Sequence, residues 1–232
     1  MNQPAARETV PATPRIPMLR TLGLVAALSG FLVVLAHHLS LPLIEENKRI
    51  AIERALFKVI PGAVSRRDFR LTADGIEPSG ETPPAQGMHL YAGYNAEGHL
   101  AGVALEAAAQ GYQDVIRVLF SYDPACECIR GIQVLKMAET PGIGDKIAKD
   151  PVFLQNFEAL DARLDATGGG LANAIVSVKA GTKIEPWQID AISGETISCK
   201  AVARMLNDTT QQALPVIARH LDTLRQPDGG TP

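Results

Sequence analysis

The stretch from Asp190 to Val202 carries the residues whose types and spacing are best suited to chemistry. It reads Asp-Ala-Ile-Ser-Gly-Glu-Thr-Ile-Ser-Cys-Lys-Ala-Val, so a Ser193-Gly194 turn precedes the hydroxyl of Thr196, where a helical pattern begins. The start of a helix leaves backbone N–H groups unpaired and carries positive dipole character, which favours a bound anion. We therefore predict that Thr196 lies where a phosphate group would be well held.

The residues around Thr196 predict a helix from about Ser193 to Leu206. Apolar residues recur at every fourth position, namely Ile197, Ala201 and Met205. Asp190 or Ser193 is the expected N-cap, because a short side chain with an oxygen atom satisfies the first N–H groups. Asn207 is the expected stop, and a second helix is predicted from about Asp208 to Leu224, interrupted by Pro215.

A second candidate segment is the polar loop from Glu139 to Lys146, which reads Glu-Thr-Pro-Gly-Ile-Gly-Asp-Lys and follows a strand-like run, 129–137. Its two glycines, Gly142 and Gly144, allow the backbone to approach a ligand closely and to adopt positive φ. Taken alone, such a segment is typical of a surface turn.

Together, the two segments resemble the covalent-FMN proteins of membrane respiratory complexes, especially the G subunit of the Rnf electron-transport complex. The typical motifs of that family are Glu-Thr-Pro-Gly-Leu-Gly-Asp-Lys and Asp-x-x-Ser/Thr-Gly-Ala-Thr-x-Ser/Thr-x-x-Ala-Val. The resemblance extends more loosely from the first apolar segment through Gly111-Tyr112 to Val202, and so covers most of the chain.

The resemblance implies that the Thr196 hydroxyl is esterified to the phosphate of FMN by a separate flavin transferase, with FAD as the donor. Ser198 is the nearest competing hydroxyl and ranks well below Thr196. The cofactor-binding residues expected from the two motifs are Ser193, Gly194, Thr196, Ile197, Lys200, Glu139, Thr140, Gly142 and Gly144.

Glu195 departs from the family pattern, because alanine is most usual at this position. It places a carboxylate beside the expected phosphoester, and like charges disfavour each other. We therefore expect either that Glu195 points to solvent or that Lys200, on the same helical face as Thr196, compensates its charge.

The N-terminal region predicts a membrane anchor. Residues 22–36 form an uncharged apolar run, and the stretch 18–40 approaches the roughly 20 residues that span a bilayer. A cleaved signal peptide is the alternative, but the helical pattern resumes at once and continues to Val59. Pro61 and Gly62 end it.

The charges that flank this segment predict its orientation. Three arginines precede it, Arg7, Arg15 and Arg20, against one acidic residue, Glu8. By the positive-inside rule the N-terminus is cytoplasmic. The expected organisation is a disordered cytoplasmic tail (1–17), a single-pass anchor (18–40) in the inner membrane, and a periplasmic FMN-binding domain (41–232).

Composition argues against several other classes of function. The net charge is −3 and the pI about 6.0, so nucleic acid is not an expected partner. No Walker A loop, dinucleotide-binding glycine fingerprint or His-Glu-x-x-His motif occurs in the sequence. The five histidines form no evident ligand set, and no metal site is expected.

The chain has three cysteines, Cys126, Cys128 and Cys199. The Cys-Glu-Cys pair is compatible with a tight disulfide, with half of a metal or cluster site, or with two free thiols. A bond from this pair to Cys199 would bring its turn beside the flavin loop.

The remaining pattern predicts an α+β fold, in which flanking helices accompany a mainly antiparallel sheet. Residues 74–86 are expected to form a loop. A short helix is predicted over 151–160 and a flexible turn over 167–170. The predicted strands are 89–94, 99–105, 115–121, 129–137 and a buried strand over 174–178.

The function expected from the resemblance is that of a membrane-anchored electron-transfer subunit with one covalent FMN, an electron carrier rather than an enzyme on its own. The expected partners are the other membrane subunits of an Rnf-type complex, iron–sulfur proteins and the flavin transferase. The alternatives are the C subunit of a sodium-translocating NADH:quinone reductase and a flavin-free extracytoplasmic sensor or binding module.

Overall fold

A computed structural model of the chain describes residues 15–72, 75–79, 87–140, 142 and 144–225. The chain divides into two compact units, residues 1–49 and residues 50–232. The described part of the first unit is helical, and this helix, α1 (Arg15–Val59), has its last ten residues in the second unit. The predicted tail, 1–17, lies mostly outside the described residues.

The first part of α1 has the surface of a membrane-embedded helix. Every side chain from Ile16 to Ser40 is exposed, although most of them are apolar. Exposure of so much apolar surface to water is unfavourable, whereas it suits the hydrocarbon layer of a bilayer. The helix is long and apolar enough to cross a membrane, so the chain carries an N-terminal membrane anchor.

The second unit contains a seven-stranded sheet in which every pair of neighbours is antiparallel. The strand order is β2-β1-β3-β4-β5-β6-β7. The strands are β1 (Ser65–Leu71), β2 (Ile76–Pro78), β3 (Met88–Tyr94), β4 (Leu100–Gln110), β5 (Val115–Asp123), β6 (Cys128–Lys136) and β7 (Leu160–Asp161). The fold class expected from the sequence, α+β with a mainly antiparallel sheet, is confirmed.

Side chains alternate between the two faces of the sheet along each strand, and both faces are covered by a hydrophobic core. On β5, Val118 and Phe120 face the main core, which also contains Val202 and Leu206 of helix α3 (Thr196–Arg219). Leu119 faces the other side and packs with the end of α1. A smaller core thus joins residues 52–60 to the sheet.

Several predicted elements differ from the observed ones. β1 was not expected from the sequence. β2 lies inside the predicted loop 74–86. Residues 74 and 80–86 of that loop are outside the described residues. The predicted short helix ends earlier, as α2 (Pro151–Gln155). The predicted buried strand is β8 (Val176–Val178), which is partly exposed and pairs in parallel with β9 (Gln188–Asp190).

The C-terminal helix is longer than predicted. Asn207 does not end it, because α3 continues through Pro215 to Arg219 and a short helix, α4 (Leu221–Arg225), follows. The Asn207 side chain instead accepts a hydrogen bond from the backbone N–H of Ile175, at 3.1 Å. Buried side chains on both sides of Asn207 hold α3 against the sheet and stabilise the helix beyond that residue.

Candidate functional site

Thr196 is the first residue of α3 and is exposed, as the sequence predicts. The preceding turn contains Ser193 and Gly194, which are also exposed, and Gly194 has a φ of 89°. A residue with a side chain would be strained in that conformation, so the glycine permits this approach to the helix. The turn presents the Thr196 hydroxyl to solvent at the positive end of a 24-residue helix.

The predicted N-caps are wrong. Asp190 lies in β9, and its carboxylate accepts a hydrogen bond from the backbone N–H of Gly181 at 2.7 Å. Glu195 occupies the N-cap position, and its side chain makes no capping hydrogen bond. No N-cap side chain therefore pairs with the first N–H groups of α3. In many helices such a side chain would compete with an external anion for these groups.

Glu139 anchors the second motif inside the protein. It is buried, and its Oε1 accepts hydrogen bonds from the backbone N–H groups of Tyr112 (3.0 Å) and Gln113 (3.4 Å). The adjacent Thr140 accepts a hydrogen bond from the side-chain amide of Gln113 at 2.8 Å. The loop after β6 is thereby fastened to the turn that joins β4 and β5.

The glycines of this loop have different roles. Gly142 has a φ of 80° and is exposed, and its N–H donates to Asp145 at 2.8 Å. Gly144 is buried, and a Cβ atom at this position would lie 2.5 Å from Cβ of Glu139. Close packing against Glu139 therefore requires glycine at position 144. Pro141 and Ile143 lie outside the described residues.

Ser198 brings the two motifs together. Its hydroxyl donates a hydrogen bond to Oε2 of Glu139 at 3.4 Å, across 59 residues of sequence. Ser198 is 1% exposed, whereas Thr196 is exposed. Of the two hydroxyls in this turn of helix, Thr196 is accessible to a reactant and Ser198 is enclosed.

Glu195 points neither to solvent nor toward a compensating cation on its own helix, so both expectations for it are wrong. The residue is 5% exposed, and its Oε1 has no hydrogen-bond partner among the described residues. Burial raises the pKa of Glu195, and the nearby charges of Glu139 and Asp145 raise it further. Lys146 and a hydrogen bond with Ser198 oppose this shift, while Lys200 is exposed to solvent.

Glu195→Gln is expected to stabilise the folded chain at high pH. A carboxyl whose pKa is raised by folding contributes stability below its unfolded value of 4.5 and loses it as the pH rises through the folded pKa. Glutamine carries no charge, so the stabilisation by this substitution should be small near pH 4.5 and should grow as the pH rises through the folded pKa of Glu195. Thermal unfolding of the full chain across this pH range measures the difference.

The control for this experiment is Glu158→Gln, which changes an exposed carboxylate. It should change the melting temperature only slightly, because the side chain lies at the surface. A stability difference for Glu195→Gln that stays constant from pH 4.5 to pH 8 would contradict the interpretation, since it would show that Glu195 carries the same charge in the folded and unfolded states.

The cofactor-binding residues expected from the two motifs do not include Tyr112, Gln113, Asp145 or Lys146, and the burial of Glu195 was not expected. Tyr112 and Gln113 contribute through their backbone N–H groups. Because nearly every residue type has such a group, the sequence does not indicate this contribution. Gly111 was the available signal, because a Cβ atom there would overlap Oε1 of Glu139.

The structure settles the state of the cysteines. Cys126 and Cys128 form a disulfide, one of the three alternatives considered from the sequence. Cys199 is a free, buried thiol, so the suggested bond between the Cys-Glu-Cys pair and Cys199 does not form. The disulfide lies at the start of β6, and the candidate site lies beyond the other end of that strand.

The residues present fit a phosphate-bearing group attached at Thr196. The hydroxyl is exposed, the helix start behind it favours an anion, and Gly194 leaves room beside it. The carboxylates of Glu139 and Glu195, which would repel a phosphate, are buried, and the partly exposed carboxylate of Asp145 pairs with Lys149 at 2.7 Å.

Comparison with known proteins gives a family match within the second unit. Residues 111–211 match the model of the FMN-binding domain family, which covers both motifs and the strands between them. This stretch is therefore similar to FMN-binding domains. The resemblance to FMN-binding proteins and to the G subunit of Rnf-type complexes, which the two motifs predict, is confirmed by these matches.

The similar curated proteins are G subunits of ion-translocating oxidoreductase complexes. The chain is 28% identical over 193 residues to the G subunit of the ion-translocating oxidoreductase complex of Methanosarcina acetivorans, covering 81% of this chain and 88% of the relative. It is also 28% identical to the G subunit of the Na(+)-translocating ferredoxin:NAD(+) oxidoreductase complex of Acetobacterium woodii, with 82% and 87% covered.

Among solved structures, NqrC of Shewanella oneidensis has the same fold, with a TM-score of 0.58 and 17% sequence identity. The likeness covers 77% of this chain and 98% of that one.

Proposed function

We propose that this chain is the membrane-anchored electron-transfer subunit of an Rnf-type ion-translocating ferredoxin:NAD oxidoreductase complex, with FMN bound through a phosphoester to Thr196. The observation that carries the proposal is the contrast between two hydroxyls in one helical turn. Thr196 is exposed at the start of α3, while Ser198 is enclosed and donates to Glu139.

FMN supplies one- and two-electron redox chemistry when it is bound, and the protein supplies attachment, orientation and electrostatics. Thr196 holds the phosphate, with the N–H groups at the start of α3 around it. Tyr112 and Ile197 are 66% and 53% exposed and offer apolar surface to the flavin ring. Gly142, Thr140 and Lys200 complete the accessible surface of the two motifs.

Attachment needs a separate flavin transferase that uses FAD. A threonine hydroxyl is a weak nucleophile that requires an activating base. The carboxylates of Glu195 and Glu139 are buried, and that of Asp145 is paired with Lys149 and accepts from the N–H of Gly142. The transferase therefore supplies the base and acts on the exposed turn.

The proposed topology places the N-terminus in the cytoplasm and residues 41–232 in the periplasm, with residues 18–40 as the membrane span. Arginines before the anchor support this orientation. The Cys126–Cys128 disulfide supports it as well, because disulfides persist in oxidising compartments. Iron–sulfur subunits of the same complex are the proposed electron-transfer partners.

A denaturing gel viewed under ultraviolet light tests the attachment. The full chain is expressed with and without a flavin transferase, and we expect a fluorescent band at about 25 kDa only with the transferase. A dark band in both samples would overturn the covalent attachment and favour the flavin-free sensor. Copurified subunits then distinguish an Rnf-type complex from a sodium-translocating NADH:quinone reductase.

A further inference from the structure

The disulfide between Cys126 and Cys128 lies in the turn that joins β5 to β6. Cys126 is exposed, whereas Cys128 is 5% exposed and pairs with Asp161 of β7. The start of β6 is roughly 26 Å from its end, at the usual rise of a strand. Since Glu139 lies beyond that end, the disulfide is remote from the candidate flavin site and does not depend on the proposed function.

Contacts other than the disulfide also hold this turn in place. The Asp123 carboxylate accepts hydrogen bonds from the Ala125 N–H at 2.8 Å and from the Arg130 guanidinium at 3.3 Å. The carbonyl of Glu127 accepts from the N–H of Ala162 at 3.0 Å. These contacts fix the turn, including the left-handed backbone of Glu127, which has a φ of 52°.

A structural role does not account for this bond. A disulfide stabilises a fold mainly by closing a loop in the unfolded chain, and the effect is smallest for short loops. Here the cysteines are two positions apart, in a hairpin whose strands are already paired. Exposed disulfides that contribute little to folding are the ones that take part in exchange reactions.

We propose that Cys126–Cys128 is a thiol–disulfide exchange site that reacts with a protein dithiol, and that the sulfur of Cys126 is the atom attacked. Exposure determines the direction of attack, because an incoming thiolate reaches Cys126 while Cys128 is enclosed between β5 and β7. The remaining cysteine of the chain, Cys199, is buried and takes no part.

The exchange conserves atoms and electrons. A thiolate of the dithiol bonds to Sγ of Cys126, the bond between Cys126 and Cys128 breaks, and Cys128 leaves as a thiolate that takes a proton from water. The second thiol of the partner loses its proton and attacks the partner's sulfur in the mixed disulfide, which releases Cys126. Two electrons and two protons have then passed to the cysteine pair, and the partner dithiol is oxidised to a disulfide.

Two matched variants of the detergent-solubilised full chain test the assignment of the attacked sulfur. Cys128→Ser leaves the exposed Cys126 thiol, and Cys126→Ser leaves the buried Cys128 thiol. Incubation with oxidised glutathione should add one glutathione to Cys128→Ser at least tenfold faster than to Cys126→Ser, as measured by intact mass. Equal rates in the two variants would overturn the assignment of Cys126.

The wild-type chain tests the exchange itself. Under native conditions dithiothreitol should open the disulfide, so that alkylation then adds two labels and the buried Cys199 stays unlabelled. The melting temperature should fall by less than about 5 °C, because little stability depends on the bond. A disulfide that resists dithiothreitol until the chain unfolds, or a larger loss of melting temperature on reduction, would show that the bond is structural.

Discussion

Thr196→Ala is expected to abolish covalent flavin completely while leaving the protein folded. Alanine removes the only atom of residue 196 that can form an ester with a phosphate. The neighbouring hydroxyl cannot replace it, because Ser198 is 1% exposed and donates to Glu139. Flavin fluorescence on a denaturing gel, after expression with a flavin transferase, measures the loss.

The stability of the Thr196→Ala variant separates loss of attachment from loss of folding. Thr196 is an exposed helix residue, and surface substitutions of this kind change the free energy of unfolding by about 0.5 kcal/mol or less. The melting temperature of the variant should therefore match that of the wild-type chain produced without the transferase.

Two further variants complete the test. Thr196→Ser keeps a hydroxyl at the same position and should retain covalent flavin. Ser198→Ala removes the enclosed hydroxyl and should also retain it, with a small loss of stability from the broken hydrogen bond to Glu139. A fluorescent Thr196→Ala chain together with a dark Ser198→Ala chain would move the attachment to Ser198 and refute our assignment.

The sheet was predictable where hydrophobic residues dominate. The strands β3 to β6 were all found from their runs of β-branched and apolar residues. β1 was missed because it reads Ser-Arg-Arg-Asp-Phe-Arg-Leu, and only Phe69 and Leu71 of its side chains are buried. Near the edge of a sheet, backbone pairing with neighbouring strands stabilises such a segment, whatever its polar side chains.

The end of α3 was not predictable from local signals. Asn207 and Pro215 are both typical of helix termini, yet the helix passes through them. Packing of buried residues such as Leu206, Leu214 and Ile217 against the sheet outweighs the local preferences of the two residues. The start of α3, at Thr196, lies three residues after the predicted start at about Ser193, because Ser193 and Gly194 form the turn before the helix.

The candidate site was predictable as two motifs but not as one arrangement. Their proximity came from the family resemblance, and the hydrogen bond from Ser198 to Glu139 shows how the fold joins them. The inward orientation of Glu195 depends on tertiary packing around the start of α3. Sequence spacing near a helix end does not define which way such a side chain points.

Glu139→Ala is expected to be among the most destabilising substitutions in the site. It leaves the N–H groups of Tyr112 and Gln113 without their acceptor and removes one of the two carboxylates that the Ser198 hydroxyl contacts. Each buried group left unsatisfied costs about 1–3 kcal/mol, and partial access of water to the exposed Tyr112 and Gln113 reduces the sum. We expect a loss of about 2–4 kcal/mol, which lowers the melting temperature by about 5–12 °C.

Glu139→Gln separates the contribution of the hydrogen bonds to stability from the contribution of the negative charge. Its carbonyl oxygen can still accept from the backbone N–H of Tyr112, and its amide can donate to the hydroxyl oxygen of Ser198. The stability should therefore fall in the order wild type, glutamine, alanine. Both variants remove a charge that raises the pKa of Glu195, so that pKa should fall, while burial, its largest cause, keeps it above the ordinary value.

Amide hydrogen exchange shows which part of the structure the Glu139→Ala substitution destabilises. In Glu139→Ala the N–H groups of Tyr112 and Gln113 should lose protection first, while those of β5, on the far side of the turn, keep it. Covalent flavin should remain, because Thr196 is intact. If exchange and melting temperature both match the wild type, the Glu139 carboxylate does not fasten the loop after β6 to the β4–β5 turn, and another contact must hold the two motifs together.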